Sequence, residues 1–245
     1  MKKLFAILIS VVLCFSISTS VFASTGQELD NTLDPTILAS LQERELEALR
    51  YISEHKDEIL AEIEENRDND FGSSTYSVSY GGFRYLDGDI LVTRSTSSAG
   101  LTGHAGIIVG TKVLHIHPSY NNEMPEAISL STWYSRFPDT ITVRYGAGTT
   151  VRNNAADYGD SFYLNGAGAD NTYQLPSSIT SLTVDYCSSL VWKCYYRGAN
   201  FEFRVFTDSV SGGSYTRPSL LLPYDFITYR EYNDFTIVNS VGWEW

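Results

Sequence analysis

Three histidines and one cysteine hold the chemistry this chain could perform. His104, His115 and His117 are three of its four histidines and fall within 14 positions. They lie in two β-prone runs, His104-Ala105-Gly106-Ile107-Ile108-Val109 and Lys112-Val113-Leu114-His115-Ile116-His117, separated by Gly110-Thr111. A two-residue hairpin turn there pairs Val109 with Lys112 and sets His104 opposite His117. Side chains alternate faces along a strand, so His115, two positions from His117, projects from the same side. Cys187 stands at the start of a predicted helix over residues 186–198. Unpaired N–H groups and the helix dipole there favour a thiolate, and a neighbouring imidazole lowers the thiol pKa further. A second polar group orients that imidazole through its other nitrogen, and the N–H of Cys187 can serve an oxyanion. These residue types are those of nucleophilic cysteine catalysis.

Each residue also has a plainer reading. A helical cysteine is commonly a small buried hydrophobe, which is the expectation for Cys194. A strand histidine is commonly structural. Three histidines and a thiol are also compatible with zinc. No acidic residue or second cysteine is spaced to close such a site, so neither a metal nor a cofactor is expected.

The elements that must position these residues read as α+β. Asp34-Pro35 starts a helix with Asp34 as N-cap and Pro35 at the first helical position. Leu38, Leu41, Leu49, Ile52, Ile59 and Ile63 form its apolar stripe, which runs to about Asn66, and seven glutamates lie mostly off it. His55 on this helix reads as a surface residue. Residues 68–83 are polar and rich in Gly, Ser and Tyr and read as a linker. Residues 90–93 form a strand, 95–103 a loop of small residues, Glu126 to Phe137 a helix, 141–145 a strand, and 150–158 a weak helix. Residues 159–184 read as loop, and 235–238 as a late strand. The expected architecture is a small antiparallel sheet or half-barrel packed against helices, with an N-terminal amphipathic helix.

Composition narrows the function classes. The chain has 245 residues, 43% of them apolar, and a net charge of −12. That acidity excludes general nucleic-acid binding, which needs basic patches to neutralise phosphates. Residues 1–23 read as a secretory signal peptide: Lys2 and Lys3, an apolar core from Leu4 to Ile17, and Val21-Phe22-Ala23 at the cleavage site. The apolar run is short for a membrane span, so no integral membrane anchor is expected. Leu13 before Cys14 argues against lipidation. Cleavage leaves 222 residues of charge −14, with Cys187 and Cys194 the remaining cysteines. Seven positions along a helix separate Cα atoms by about 10 Å, beyond the roughly 7 Å limit of a disulfide. Two free thiols in an exported protein are unusual and call for a reason. Residues 24–83 form a leader, the helix and the linker, and residues 84–245 one domain. The helix is expected to pack on that domain; an occluding pro-segment is the sharper alternative.

Gly88-Asp89-Ile90, Gly103-His104-Ala105-Gly106-Ile107-Ile108-Val109, Val113-Leu114-His115 and Tyr186-Cys187-Ser188-Ser189-Leu190-Val191-Trp192-Lys193 together resemble the circularly permuted NlpC-type cysteine hydrolases, the YiiX/YebB-like group with a papain-like fold. In ordinary NlpC-type peptidases the cysteine helix precedes the histidine strand. Here His104 comes first and Cys187 about 80 residues later, the permuted order. The resemblance covers residues 86–203, more weakly to 238, and excludes the N-terminal helix. It implies Cys187 as nucleophile, His104 as general base and His115 as the orienting residue, with His117 the fallback. It implies that 158–165 line the cleft. Asp89 matches a family position too, and reads as a turn residue.

The resemblance, together with the signal peptide, implies a secreted hydrolase of the bacterial cell envelope. It would cleave an amide bond in peptidoglycan peptides through an acyl-enzyme, with rapid, selective iodoacetamide labelling of Cys187 over Cys194 near neutral pH. A lipid esterase or acyltransferase using the same Cys–His pair, and a non-catalytic wall-binding module built on the 17 Tyr and 4 Trp, are the alternatives. Trp243 and Trp245 read as packing anchors.

Overall fold

The computed structural model describes residues 35–66, 76–98, 101–175, 178–207, 213–243 and 245. The expected signal peptide, leader and Asp34 cap, and residues 67–75 of the expected linker, lie outside them. Two helices, α1 (Pro35–Glu54) and α2 (Lys56–Asn66), stand where one long helix is predicted. The interruption falls at His55, whose Nδ1 lies 2.8 Å from the Tyr51 carbonyl oxygen and whose ring stacks on Tyr51. The backbone ladder runs on through the interruption, His55 N–H to the Tyr51 carbonyl and Ile59 N–H to the His55 carbonyl, both at 3.0 Å. Leu41, Ala48, Ile52, Ile59 and Ile63 are buried, so the apolar stripe faces the body. Arg44 pairs with Asp225 at 3.0 Å, and Glu62 with Arg230 at 2.8 Å.

A hairpin of β1 (Ser77–Tyr80) and β2 (Phe83–Leu86) occupies the end of the stretch read as linker. There follow β3 (Ile90–Ser98), β4 (Leu101–Val109), β5 (Lys112–His115), β6 (Glu126–Ser129), α3 (Leu130–Arg136), β7 (Thr140–Tyr145) and α4 (Thr149–Tyr158). The predicted helix over 126–137 is therefore a strand followed by a helix. Ser129 ends the strand and caps the helix by accepting from Thr132 N. Helix α4 runs on into π turns over Gly159–Leu164. Next come the short parallel pair β8 (Thr172–Tyr173) and β9 (Val184–Asp185), then α5 (Cys187–Lys193), which continues as π turns over Cys194–Gly198. The hairpin β10 (Val205–Thr207) and β11 (Ser214–Thr216), the short α6 (Asp225–Thr228) and β12 (Phe235–Val241) complete the chain.

The main sheet has the order β12-β7-β3-β4-β5-β6, with every neighbouring pair antiparallel. With helices on both faces the architecture is α+β. Ile90, Val92, Ala105, Ile107, Leu114 and Ile116 bury one face against Leu190, Val191 and Trp192. Leu91, Ile108 and Val113 bury the other against Leu130, Trp133 and Phe137. The split follows strand alternation. Asp89 takes both the Arg144 guanidinium, through two 2.7 Å bonds, and the N–H of Leu86. Its role in the structure is to pin β3 to β7.

Candidate active site

The predicted turn and the pairs beside it are observed, Val109 with Lys112, Ile108 with Val113 and Ile107 with Leu114. The ladder ends before His104 reaches His117, but their rings lie with centroids 5.0 Å apart. His104 Nε2 and His115 Nδ1 share a hydrogen bond of 3.0 Å. His104 Nδ1 makes no hydrogen bond among the described residues. Trp133 stacks on the His104 ring with centroids 5.5 Å apart, and Phe137 packs beside it. Trp133 is itself fixed by Nε1–H to Thr140 Oγ1 at 3.1 Å. Burial pushes His104 well below the ordinary histidine range, and His115 and His117 push the same way. Burial also lowers His115, against the pull of Glu126.

His117 stands beside this pair but outside its hydrogen bond. Its Nδ1 accepts from Ser119 N at 3.1 Å, and its Nε2 lies 3.2 Å from Thr96 Oγ1. Burial brings it down to about 4. Both candidates for the orienting position pack edge-on against the His104 ring, and His115 is the one hydrogen-bonded to it.

Cys187 arrives from the opposite side of the sheet. Helix α5 packs on the Ala105 face of β4, whereas His104 alternates to the Trp133 face. Helix α5 meets β4 near the point where β5 parts from it. Ile108 exchanges backbone bonds with Gly88 and Asp89 on the β3 side. Amides alternate along a strand, so the N–H of Ala105 faces β5. β4–β5 pairing stops at Ile107. The sulfur of Cys187 lies 3.7 Å from Ser188 Oγ, and the backbone N–H groups of Ala105, Ser188 and Cys187 are near enough to favour its anion.

Here the structure corrects one expectation. No hydrogen bond joins Cys187 to an imidazole among the described residues, so the thiolate–imidazolium pair is not formed. Burial holds the thiol above its ordinary value, and the surrounding donors only partly offset this. With the residue 5% exposed, that shift favours the neutral thiol.

Two supports of the site were not read from the sequence. Glu126 pairs with His115 across β5 and β6, and its Oε1 lies 3.4 Å from His115 Nε2 and 2.7 Å from Arg136 Nη1. Those contacts, His115 first, hold its carboxyl below the usual range. Reading 126–137 as one helix hid this cross-strand relation. The other support is Asp185, fully buried, which takes Lys193 Nζ at 2.7 Å, Asn171 Nδ2 at 2.7 Å and Ser189 Oγ at 3.0 Å. It fixes the start of α5 two residues before the thiol. The i, i+8 spacing of Asp185 and Lys193 on a predicted helix offered a weak signal for it. Cys194 is free and fully buried, with its thiol pushed well above its usual value by burial. Among the described residues no group of three His, Cys, Asp or Glu is arranged to hold a metal ion.

No family model matches the chain. It is 30% identical over 165 residues to an uncharacterized 30.3 kDa protein of Bacillus thuringiensis, a match covering 64% of this chain and 57% of that one. The chain thus spans little more than half of that relative. A crystal structure described as the metalloprotein yiiX from Escherichia coli O157:H7 aligns with 65% of this chain and 97% of its own, at 18% identity and a TM-score of 0.36.

Proposed function

We propose that the chain is a cysteine hydrolase with a permuted papain-like arrangement, in which Cys187 attacks a carbonyl and His104 handles the proton. One observation carries this reading. The thiol and the imidazole flank the same backbone amide, that of Ala105, and the ring nitrogen not committed to His115 is unoccupied. Catalytic hydrogen bonds are often long in unliganded enzymes and tighten when substrate binds.

The chemistry then runs in order. His104 Nδ1 takes the thiol proton as sulfur bonds to the carbonyl carbon, so the neutral pair at rest becomes an ion pair in the reaction. The N–H of Cys187 stabilises the oxyanion. The intermediate collapses with loss of the amine, which takes the proton from His104. Water, deprotonated by His104, releases the acid from the thioester and restores the thiol.

The substrate reading is an amide of a bacterial wall peptide, outside the cell. The signal-like residues 1–23 and the sequence resemblance support it, and neither fixes the scissile bond. The test is digestion of peptidoglycan fragments beside labelled phospholipid, with wild type and Cys187→Ala. New amine groups from the fragments with wild type alone are expected. Turnover of the lipid instead assigns an esterase or acyltransferase, and equal activity of the alanine variant removes the cysteine mechanism.

A further inference from the structure

We infer that Glu126 is a positioning residue: its carboxylate sets which nitrogen of each linked imidazole carries the proton, and thereby leaves a lone pair on His104 Nδ1. The inference rests on the reading of His104 as general base, and deepens it. A hydrogen bond between two neutral imidazoles can run in either direction. In one, His104 Nε2–H donates to His115 Nδ1, and His104 Nδ1 is a base. In the other, His115 Nδ1–H donates to His104 Nε2, and His104 Nδ1 bears the proton and cannot accept one from sulfur. The His104–His115 contact alone does not choose.

The choice is made at the far end of the chain of contacts. His115 Nε2 is buried and completes no hydrogen bond; Glu126 Oε1 stands 3.4 Å from it, an electrostatic contact. An ionised carboxylate accepts only. Facing it with a nitrogen lone pair sets two electron-rich atoms against each other, whereas an N–H there turns a positive hydrogen toward the negative charge. His115 therefore holds its proton on Nε2, its Nδ1 must accept, and His104 must donate through Nε2. Arg136 donates to the same oxygen at 2.7 Å while lying over the Tyr120 ring. His117 stays out of the relay, since its Nδ1 already accepts from Ser119 N. Trp133 and Phe137 screen the pair from competing water.

Glu126→Gln is the discriminating variant. It keeps shape, but an amide donates as readily as it accepts, so the direction of the relay is no longer fixed. Arg136→Met removes the cation and leaves the carboxylate acceptor in place. Two-bond nitrogen–proton NMR correlations on the full chain, with ¹⁵N-histidine, read each tautomer at pH 7. The expected result is Nε2–H on both His104 and His115 in wild type and in Arg136→Met, and a mixture of tautomers in Glu126→Gln. In turnover the glutamine variant loses about 10- to 100-fold in kcat with KM little changed. A wild-type His104 protonated on Nδ1 overturns the inference. So does a Glu126→Gln spectrum identical to wild type, or one that Arg136→Met reproduces. The NMR readout needs no substrate, so a chain that hydrolyses nothing yet shows the fixed tautomers defeats the hydrolase reading and not this one.

Discussion

Lys193→Met tests how the nucleophile is held. The Lys193 ammonium is fully buried and reaches back along α5 to Asp185 Oδ1 at 2.7 Å and to the Val184 carbonyl at 3.0 Å, the two residues that lead into Cys187. Burial disfavours both charges: it raises Asp185 above the usual carboxylate range and lowers Lys193, and each partner opposes the shift of the other. Such a pair contributes little net stability, but removing one member strands the other. Methionine fills the volume and leaves the Asp185 carboxylate with Asn171 and Ser189 alone. The expected loss at pH 7 is about 3–5 kcal/mol, or a fall in Tm of about 10 °C for a domain of this size. The loss depends on pH. A carboxyl whose folded pKa is raised costs stability above that pKa, and the cost fades as pH falls toward the unfolded value of about 3.9. The deficit is therefore larger at pH 8 than at pH 5, as measured by urea unfolding at both. The double variant Asp185→Asn/Lys193→Met recovers most of the deficit. A single-variant loss below about 1 kcal/mol, or a deficit flat between pH 5 and 8, refutes the argument from a stranded buried charge.

Three further outcomes follow from the same geometry. Native-state alkylation of Cys187 by iodoacetamide is slow at pH 7 and climbs through pH 9, because burial raises the thiol pKa; this replaces the expectation of rapid neutral labelling, and a plateau already reached at pH 7 contradicts it. Cys194 stays unmodified until the chain unfolds. On a turned-over substrate His117→Gln keeps kcat within about threefold, whereas His115→Gln lowers it about 100-fold, since only His115 is hydrogen-bonded to His104; equal effects overturn that distinction. Gly103→Ala costs at least about 2 kcal/mol in urea unfolding, because Gly103 in β4 has φ +87° and an added Cβ would stand 2.8 Å from Tyr224 Cζ; a neutral substitution shows that this stretch of strand before His104 relaxes freely.

Local rules made the histidine hairpin legible. A two-residue turn fixes the register, the register fixes the face, and three rings on that face follow without tertiary information. The start of the cysteine helix was legible for a similar reason, as a small polar run gives way to Leu190-Val191-Trp192. Long-range pairing decided the rest. Glu126 reads as helical by its neighbours, and only its pairing to His115 makes it a strand residue of the site. The β1–β2 hairpin is in fact encoded, since Ser77-Val78-Ser79-Tyr80 and Phe83-Arg84-Tyr85 alternate about Gly81-Gly82, a signal that reading 68–83 as linker passes over; the stacking of Tyr80 on Tyr134 of α3 is the tertiary part. The separation of His104 and Cys187 onto opposite faces of β4, near the point where β5 leaves, is a property of the sheet edge that residue types do not encode.

The central claim is that Cys187 becomes acylated. Its most direct test is to mix the full chain with wall-peptide fragments, quench in acid within seconds, digest, and weigh the peptide that contains Cys187. The account predicts a mass increase equal to the acyl portion of the fragment on that peptide in wild type, absent in Cys187→Ala and strongly reduced in His104→Ala. Amine release by wild type with the Cys187 peptide unmodified at every time point, together with undiminished release by Cys187→Ala, contradicts it.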